Sequence, residues 1–169
     1  MFRSKAQKLF SSVVFIIYFM LLIWLVLFKF SINFNELDHI RSVNLIPFYY
    51  DTEIGFAFHF KEVLYNVLIF IPLGVCIGIY RSDWSFGRKI LPGFSVSLLF
   101  EVLQFVFALG AGDITDLITN TTGGIIGILL CCLLRKMFPK KYITVICVMG
   151  FLVEILAVLL LAILLIANR

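Results

Sequence analysis

Charged residues are scarce in this chain of 169 residues: 14% are Asp, Glu, Lys or Arg, whereas 62% are hydrophobic. So few charged side chains cannot cover the surface of a water-soluble globule of this size. Histidine is also rare, with two copies, and no His-containing metal motif, phosphate-binding glycine loop or nucleophile paired with a base is recognisable. We therefore expect a membrane protein that holds neither a cofactor nor a metal.

Hydropathy divides the chain into five apolar runs, each near the length of about 20 residues that crosses a bilayer. The runs cover residues 9–30, 62–80, 90–109, 113–134 and 142–167. The first is too long for a cleaved signal peptide and lacks a small-residue cleavage site. The sequence therefore predicts an all-α integral membrane protein, a single membrane domain over residues 1–169 with about five transmembrane helices.

The distribution of Lys and Arg predicts the orientation, because short loops rich in these residues stay in the cytoplasm. One side carries Arg3, Lys5, Lys8, Arg81, Arg88, Lys89, Arg135, Lys136, Lys140 and Lys141, and the other carries Lys29, Arg41, Lys61 and Arg169. We expect the N-terminus inside and the C-terminus outside. The net charge of +4 then reflects topology and attraction to lipid headgroups, and no nucleic-acid partner is expected.

Two connections would lie outside the membrane. The long extracellular loop between helices 1 and 2 spans residues 31–61, and its many aromatic residues favour the headgroup layer over disorder. The other connection, Gly110 to Gly112, is so short that spans three and four must be antiparallel neighbours, and its glycines permit positive φ at the turn.

Polar residues recur at helical spacing on the two spans that this short turn joins. On span three, the residues that share a stripe are Ser97, Glu101, Gln104 and Ala108. On span four, an arc of about 100° contains Asp113, Asp116, Asn120, Gly123, Gly124 and Gly127. If the stripes face each other, Glu101 and Asn120 meet about 10 to 12 Å below the turn. Asn66 on span two could join them.

Each of these residues also has a structural interpretation. Asp113 could be the N-cap of span four, with Asp116 completing a motif like a capping box, and the glycines could serve only close helix packing. Glu101 is harder to explain, because a carboxylate within a span costs about 3 kcal/mol unless it is paired, hydrated or protonated. It is either functional or held by a hydrogen bond to Gln104 or Asn120. Glu154, in mid-span five, raises the same question.

Several stretches resemble the VanZ-like family: residues 44–48, residues 66–74, Glu101 with Gln104, and residues 113–124. The resemblance covers about residues 22–134 and implies a Gram-positive bacterial protein of the cytoplasmic membrane. It also implies resistance to teicoplanin and related lipoglycopeptides without remodelling of D-Ala-D-Ala. The motif residues that carry over are Asn44, Pro47, Asn66, Pro72, Glu101, Gln104, Asp113, Asp116 and Asn120. Family members commonly have an arginine in the turn before the aspartates; residues 108–112 have none, and Arg41 could supply that cation.

Three functions remain open. The first is binding: an outer cavity formed by spans two to four would engage membrane lipids, the acyl tail of a lipoglycopeptide or a lipid-linked envelope intermediate. Its predicted binding residues are Asn44, Asn66, Glu101, Gln104, Asp113, Asp116, Asn120 and Arg41. The second is an enzyme acting on an envelope lipid, with Glu101, Asp113 and Asp116 as acid, base or cation ligands. The third is a small transporter with Glu101 in a proton relay.

Overall fold

The structure, a computed structural model, describes residues 2, 4–28, 42–49, 56–110 and 112–167. Most of them belong to five α-helices: α1 (Lys5–Phe28), α2 (Phe56–Tyr80), α3 (Phe86–Phe107), α4 (Ile114–Met137) and α5 (Tyr142–Ala167). All five are long and apolar enough to cross a membrane. The chain is therefore a multi-pass helical membrane protein, and the prediction of five helices of that kind is confirmed.

Three helices begin earlier than the apolar runs suggested. α1 starts at Lys5, α2 at Phe56 and α3 at Phe86, whereas the hydropathy runs start at residues 9, 62 and 90. Hydropathy detects only the part of a helix that is apolar, and a helix continues through polar residues wherever its backbone hydrogen bonds continue. The early start of α2 places several residues that the sequence assigned to a loop on a helix beside the candidate site.

α4 packs most closely against α2, and glycines on α4 make this possible. A Cβ atom added at Gly127 would collide with the carbonyl oxygen of Ile71 and lie 2.8 Å from the backbone nitrogen of Val75. A Cβ added at Gly123 would collide with the carbonyl oxygen of Val67. These glycines allow close helix packing, as predicted, and the helix that packs against them is α2.

Contacts between helix ends show how the helices alternate. Near the start of α1, the side chain of Gln7 donates to Thr144 Oγ1 at the start of α5 over 3.0 Å, and Ser12 lies 3.0 Å from the Tyr80 hydroxyl at the end of α2. This end of the bundle, the basic end, carries Lys5, Lys8, Arg81, Arg88, Lys89, Arg135, Lys136, Lys140 and Lys141. The opposite end, the site end, holds the end of α3 and the start of α4.

A two-residue parallel strand pair joins two distant parts of the chain at the site end. Strand β1 (Val43–Asn44) pairs with β2 (Gly112–Asp113), which directly precedes α4. The backbone N–H of Gly112 also donates to the carbonyl of Ser42 over 3.0 Å. The all-α prediction did not include this pair, because a pairing between distant segments leaves no local periodicity. It attaches the segment before α2 to the turn between α3 and α4.

That turn uses a left-handed residue that the sequence did not indicate. Ala108, the C-cap of α3, has φ 54°, and its N–H returns to the carbonyls of Gln104 and Phe105. Gly110 also has a positive φ of 155°. Positive φ was expected at the glycines of the turn, and the helix cap at Ala108 adopts it as well.

Candidate binding site at the helix ends

Asp113 links the start of α4 to the segment 42–49, which is called the docked segment below. One carboxylate oxygen of Asp113 accepts from the backbone N–H of Thr115 at 2.7 Å, so this residue is the N-cap of α4. The other oxygen accepts from the side-chain amide of Asn44 at 3.1 Å. The capping interpretation is thus correct for Asp113, and the same carboxylate also binds the docked segment.

Glu101 on α3 supports the same junction. Its Oε2 atom accepts from the backbone N–H of Asp113 at 2.8 Å. An amide at the start of a helix has no acceptor within the helix, and the helix dipole favours a negative charge there. The sequence suggested Gln104 or Asn120 as the partner of Glu101; the structure provides the Asp113 amide and gives those two side chains other partners.

The docked segment turns sharply before it meets α4. Asn44 Oδ1 accepts from the backbone N–H of Ile46 at 3.0 Å, an Asx turn that leads into Pro47. Phe48 adopts a left-handed φ of 55°, and its N–H donates to Thr115 Oγ1 at 2.9 Å. Thr115 lies within the stretch 113–124 that resembles the VanZ-like family, but no sequence feature singled it out. The docked segment therefore contacts α4 at two side chains, Asp113 and Thr115.

A second group of polar side chains lies between α1, α2, α3 and α4. Asn66 on α2 donates to Asp116 Oδ1 over 2.7 Å. Gln104 on α3 donates to the carbonyl oxygen of Val26 on α1 over 2.9 Å. Asn120 donates to Ser97 Oγ over 3.1 Å, so the stripes of α3 and α4 do face one another. Gln104 and Asn120 are 2% and 1% exposed.

The predicted single cluster is thus divided into two groups. Glu101 lies with Asp113 and Asn44, whereas Gln104 lies near Asn120 rather than with Glu101. Three residues of helix rotate the side-chain direction by about 300°, which leaves Glu101 and Gln104 about 60° apart. That angle is large enough to send the two side chains to different cavities.

The cavity beside Glu101, called the first cavity, has a volume of about 290 Å³. Its walls are mostly apolar, and its lining residues are Val43, Leu45, Leu98, Glu101, Val102, Phe105, Gly112, Asp113, Ile114 and Leu117. Several of these side chains are exposed on the bundle surface, including Leu98 and Val102. The first cavity is therefore open at the outer surface of the helical bundle.

The cavity beside Gln104, called the second cavity, has a volume of about 320 Å³. It is lined by Leu25, Val26, Phe58, Lys61, Glu62, Tyr65, Asn66, Ile69, Gln104, Asp116 and Asn120. Its lining residues include the buried oxygens Gln104 Oε1 and Asn120 Oδ1, and neither has a hydrogen-bond partner among the described residues. A buried acceptor without a donor costs about 1–3 kcal/mol. The second cavity therefore offers acceptors to a bound molecule or to water.

The first part of α2 contributes four residues to the second cavity that were not selected from the sequence: Phe58, Lys61, Glu62 and Tyr65. Phe58 and Lys61 fall in the stretch that was assigned to the extracellular loop, whereas Glu62 and Tyr65 lie within the predicted second span. The sequence could have indicated Glu62 as a site residue, because it precedes Asn66 by four residues, the spacing of neighbours on one helix face.

The remaining candidates lie elsewhere. Arg41, expected as a cation for the aspartates, lies outside the described residues. Glu154 on α5 is buried, lines neither cavity, and its Oε2 has no hydrogen-bond partner in the described part of the chain. Within the described ranges, no three His, Cys, Asp or Glu side chains are grouped in a way that could hold a metal ion.

The fold and the site define a class of protein: a small multi-pass helical membrane protein with buried amides and carboxylates at one end of its bundle. The chain belongs to the VanZ/LLP1 family, whose model matches residues 15–135. It is 43% identical over 154 residues to Protein VanZ of Enterococcus faecium, a match that covers 88% of this chain and 91% of that protein. No solved structure matches the chain.

Proposed function

We propose that this protein confers resistance to teicoplanin and related lipoglycopeptides by binding an amphiphile, a membrane lipid or the acyl tail of the drug, without remodelling D-Ala-D-Ala. The observation that carries the proposal is the second cavity, in which buried amides and a carboxylate lie beneath apolar and aromatic walls. Such a cavity suits a molecule with a polar head and an apolar chain. Membership of the VanZ/LLP1 family and the likeness to Protein VanZ support the same function.

The proposal places the site end at the outer face of the bacterial cytoplasmic membrane. The basic end carries nearly all Lys and Arg of the described residues, and such ends face the cytoplasm. The N-terminus is then inside, the C-terminus outside, and the connection between α1 and α2 is extracellular. The two cavities would open where a lipid-bearing antibiotic reaches the cell.

Cavity size limits what could bind. About 320 Å³ for the second cavity is at the low end of ligand pockets, which span roughly 300–1,000 Å³. This volume fits a headgroup or part of an acyl chain, but not the peptide core of a glycopeptide. The apolar walls of the first cavity suit a chain.

The division of the carboxylates favours binding over the enzymatic alternative. Glu101 and Asp113 line the first cavity and Asp116 lines the second. Both oxygens of Asp113 accept hydrogen bonds that hold the fold. A reaction that needs all three carboxylates on one atom is poorly served by this arrangement.

The test compares wild type, Glu101→Gln and Asp116→Asn in a sensitive Gram-positive host. We expect wild type to raise tolerance to teicoplanin more than to vancomycin, and Asp116→Asn to lose most of this protection while envelope lipids, measured by mass spectrometry, stay unchanged. Asp83→Asn is the matched control, because Asp83 is an exposed carboxylate at the basic end. A new lipid species that depends on Glu101 would indicate an enzyme instead. Full protection in both site variants would refute the site.

A further inference from the structure

We infer that the second cavity selects an envelope lipid whose headgroup carries a protonated primary amine. This inference rests on the proposed function, since it takes the second cavity as the binding site, and it adds the chemical class of the ligand. The starting observation is a pair of buried acceptors among the residues that line the cavity, Gln104 Oε1 and Asn120 Oδ1.

The orientation of the Gln104 amide is fixed by its partner. Its Nε2 atom lies 2.9 Å from the carbonyl oxygen of Val26, and a carbonyl oxygen can only accept. The nitrogen must therefore face Val26, and the oxygen must face away from it. The side chain is 2% exposed, and Oε1 has no donor among the described residues, so it is an acceptor that a molecule in the cavity can use.

Asn120 adds a second acceptor. Its Nδ2 atom lies 3.1 Å from Ser97 Oγ, which leaves Oδ1 without a donor among the described residues. Because a hydroxyl can donate or accept, the orientation of this amide is less constrained than that of Gln104. Gln104 therefore provides the acceptor of certain orientation, and Asn120 provides a second acceptor.

Charge in the cavity has the sign that suits an amine. Asp116 in the first turn of α4 and Glu62 on α2 line the cavity, and the one cation among its described lining residues is Lys61, which is exposed. A primary ammonium offers three N–H donors with one positive charge. A trimethylated ammonium has the charge without N–H donors, and the anionic headgroup of phosphatidylglycerol has hydroxyl donors without the positive charge. In a zwitterionic lipid, the phosphate would lie toward Lys61 while the amine donates to Gln104 and Asn120.

The binding test uses the purified full-length protein in mild detergent and native mass spectrometry. The probes are phosphatidylethanolamine, its mono-, di- and trimethylated forms with the same acyl chains, and phosphatidylglycerol. Across the methylated series the charge stays constant while the N–H donors fall from three to none. We expect retention to fall at each step, with the trimethylated lipid bound roughly tenfold or more weakly, since hydrogen bonds to charged groups contribute about 1.5–3 kcal/mol.

Two variants remove the acceptors and keep the side-chain volume: Gln104→Met and Asn120→Leu. Each should reduce the preference for phosphatidylethanolamine, whereas Gln7→Met, which changes a glutamine at the basic end, should keep it. Equal retention of all four lipids of the methylated series by wild type, stronger retention of phosphatidylglycerol, or an undiminished preference in Gln104→Met would overturn the inference. The comparison within wild type needs no variant and stays decisive if a variant does not fold.

Drug susceptibility of the same variants separates this inference from the proposed function. If wild type prefers the primary amine but Gln104→Met keeps full protection against teicoplanin, the inference stands and the proposed function fails. If Gln104→Met loses protection while wild type shows no preference among the lipids, the inference fails and the proposed function stands.

Discussion

Replacing Gly127 by alanine should separate α2 from α4. The added Cβ would collide with the carbonyl oxygen of Ile71 and lie 2.8 Å from the nitrogen of Val75 and 2.9 Å from the Cα of Gly74. Contacts of this kind normally lie at about 3.5–4.0 Å, so the helices must move apart by at least about 1 Å. Overpacking typically costs about 1–3 kcal/mol. Because the obstructing atoms are backbone, no side-chain rotation relieves the clash, and we expect about 3 kcal/mol.

The neighbouring glycine provides a matched control. A Cβ added at Gly124 has no described atom within 4 Å outside its own helix, and alanine is the better helix former by up to about 1 kcal/mol. In thermal unfolding of the purified protein, Gly127→Ala should lower the midpoint by roughly 6 °C or more. Gly124→Ala should match or exceed wild type. Equal midpoints for the two variants would show that glycine does not set the spacing of these helices.

The same substitution should affect function. Asn66 on α2 and Asp116 on α4 are joined by a 2.7 Å hydrogen bond, and a separation of about 1 Å would weaken or break it. We therefore expect Gly127→Ala to lose protection against teicoplanin at matched expression, and Gly124→Ala to keep it. If Gly127→Ala lowers the unfolding midpoint but keeps full protection, the function of the site does not depend on the distance between α2 and α4.

Three further predictions concern single side chains. Asn44→Ala removes the hydrogen bond to Asp113 and should speed amide hydrogen exchange in residues 43–49; unchanged exchange would mean that this contact does not hold the docked segment. Thr115→Val keeps the side-chain shape but removes the acceptor for the Phe48 N–H, a loss of about 1 kcal/mol. Amide hydrogen exchange should become faster at Phe48 alone, and an equal change in exchange over the whole docked segment would contradict this prediction. Glu154→Leu removes a buried carboxyl group and should raise the unfolding midpoint without altering drug protection; a loss of protection would give Glu154 a role in function.

Much of the helical framework follows from local sequence patterns. Apolar runs of sufficient length identify five helices, and helical spacing places Ser97 and Asn120 on faces that meet. The estimated depth of Asn66 also suggested that it could join the polar cluster of spans three and four, and its side chain donates to Asp116 on α4. These features depend on hydropathy and on the spacing of polar residues, which can be recognised within a short stretch of sequence.

The details of the site depend on contacts between distant residues. Nothing near Gln104 indicates that its amide binds the backbone of Val26 on α1, because a backbone carbonyl is available on every residue. Glu101 illustrates a second difficulty, since its observed partner is the backbone amide of Asp113 rather than a polar side chain. A side-chain pattern can predict which helix face is polar, but it does not predict which backbone group of another element a polar side chain will contact.

The parallel pairing of β1 with β2 has a consequence for biosynthesis. Asn44 and Asp113 are 69 positions apart, and all of α2 and α3 lie between the two strands. The docked segment can therefore meet its partner only after the ribosome has delivered the start of α4. A nascent chain that stops after α3 would have three inserted helices and an unattached segment, so the two cavities become complete only late in synthesis.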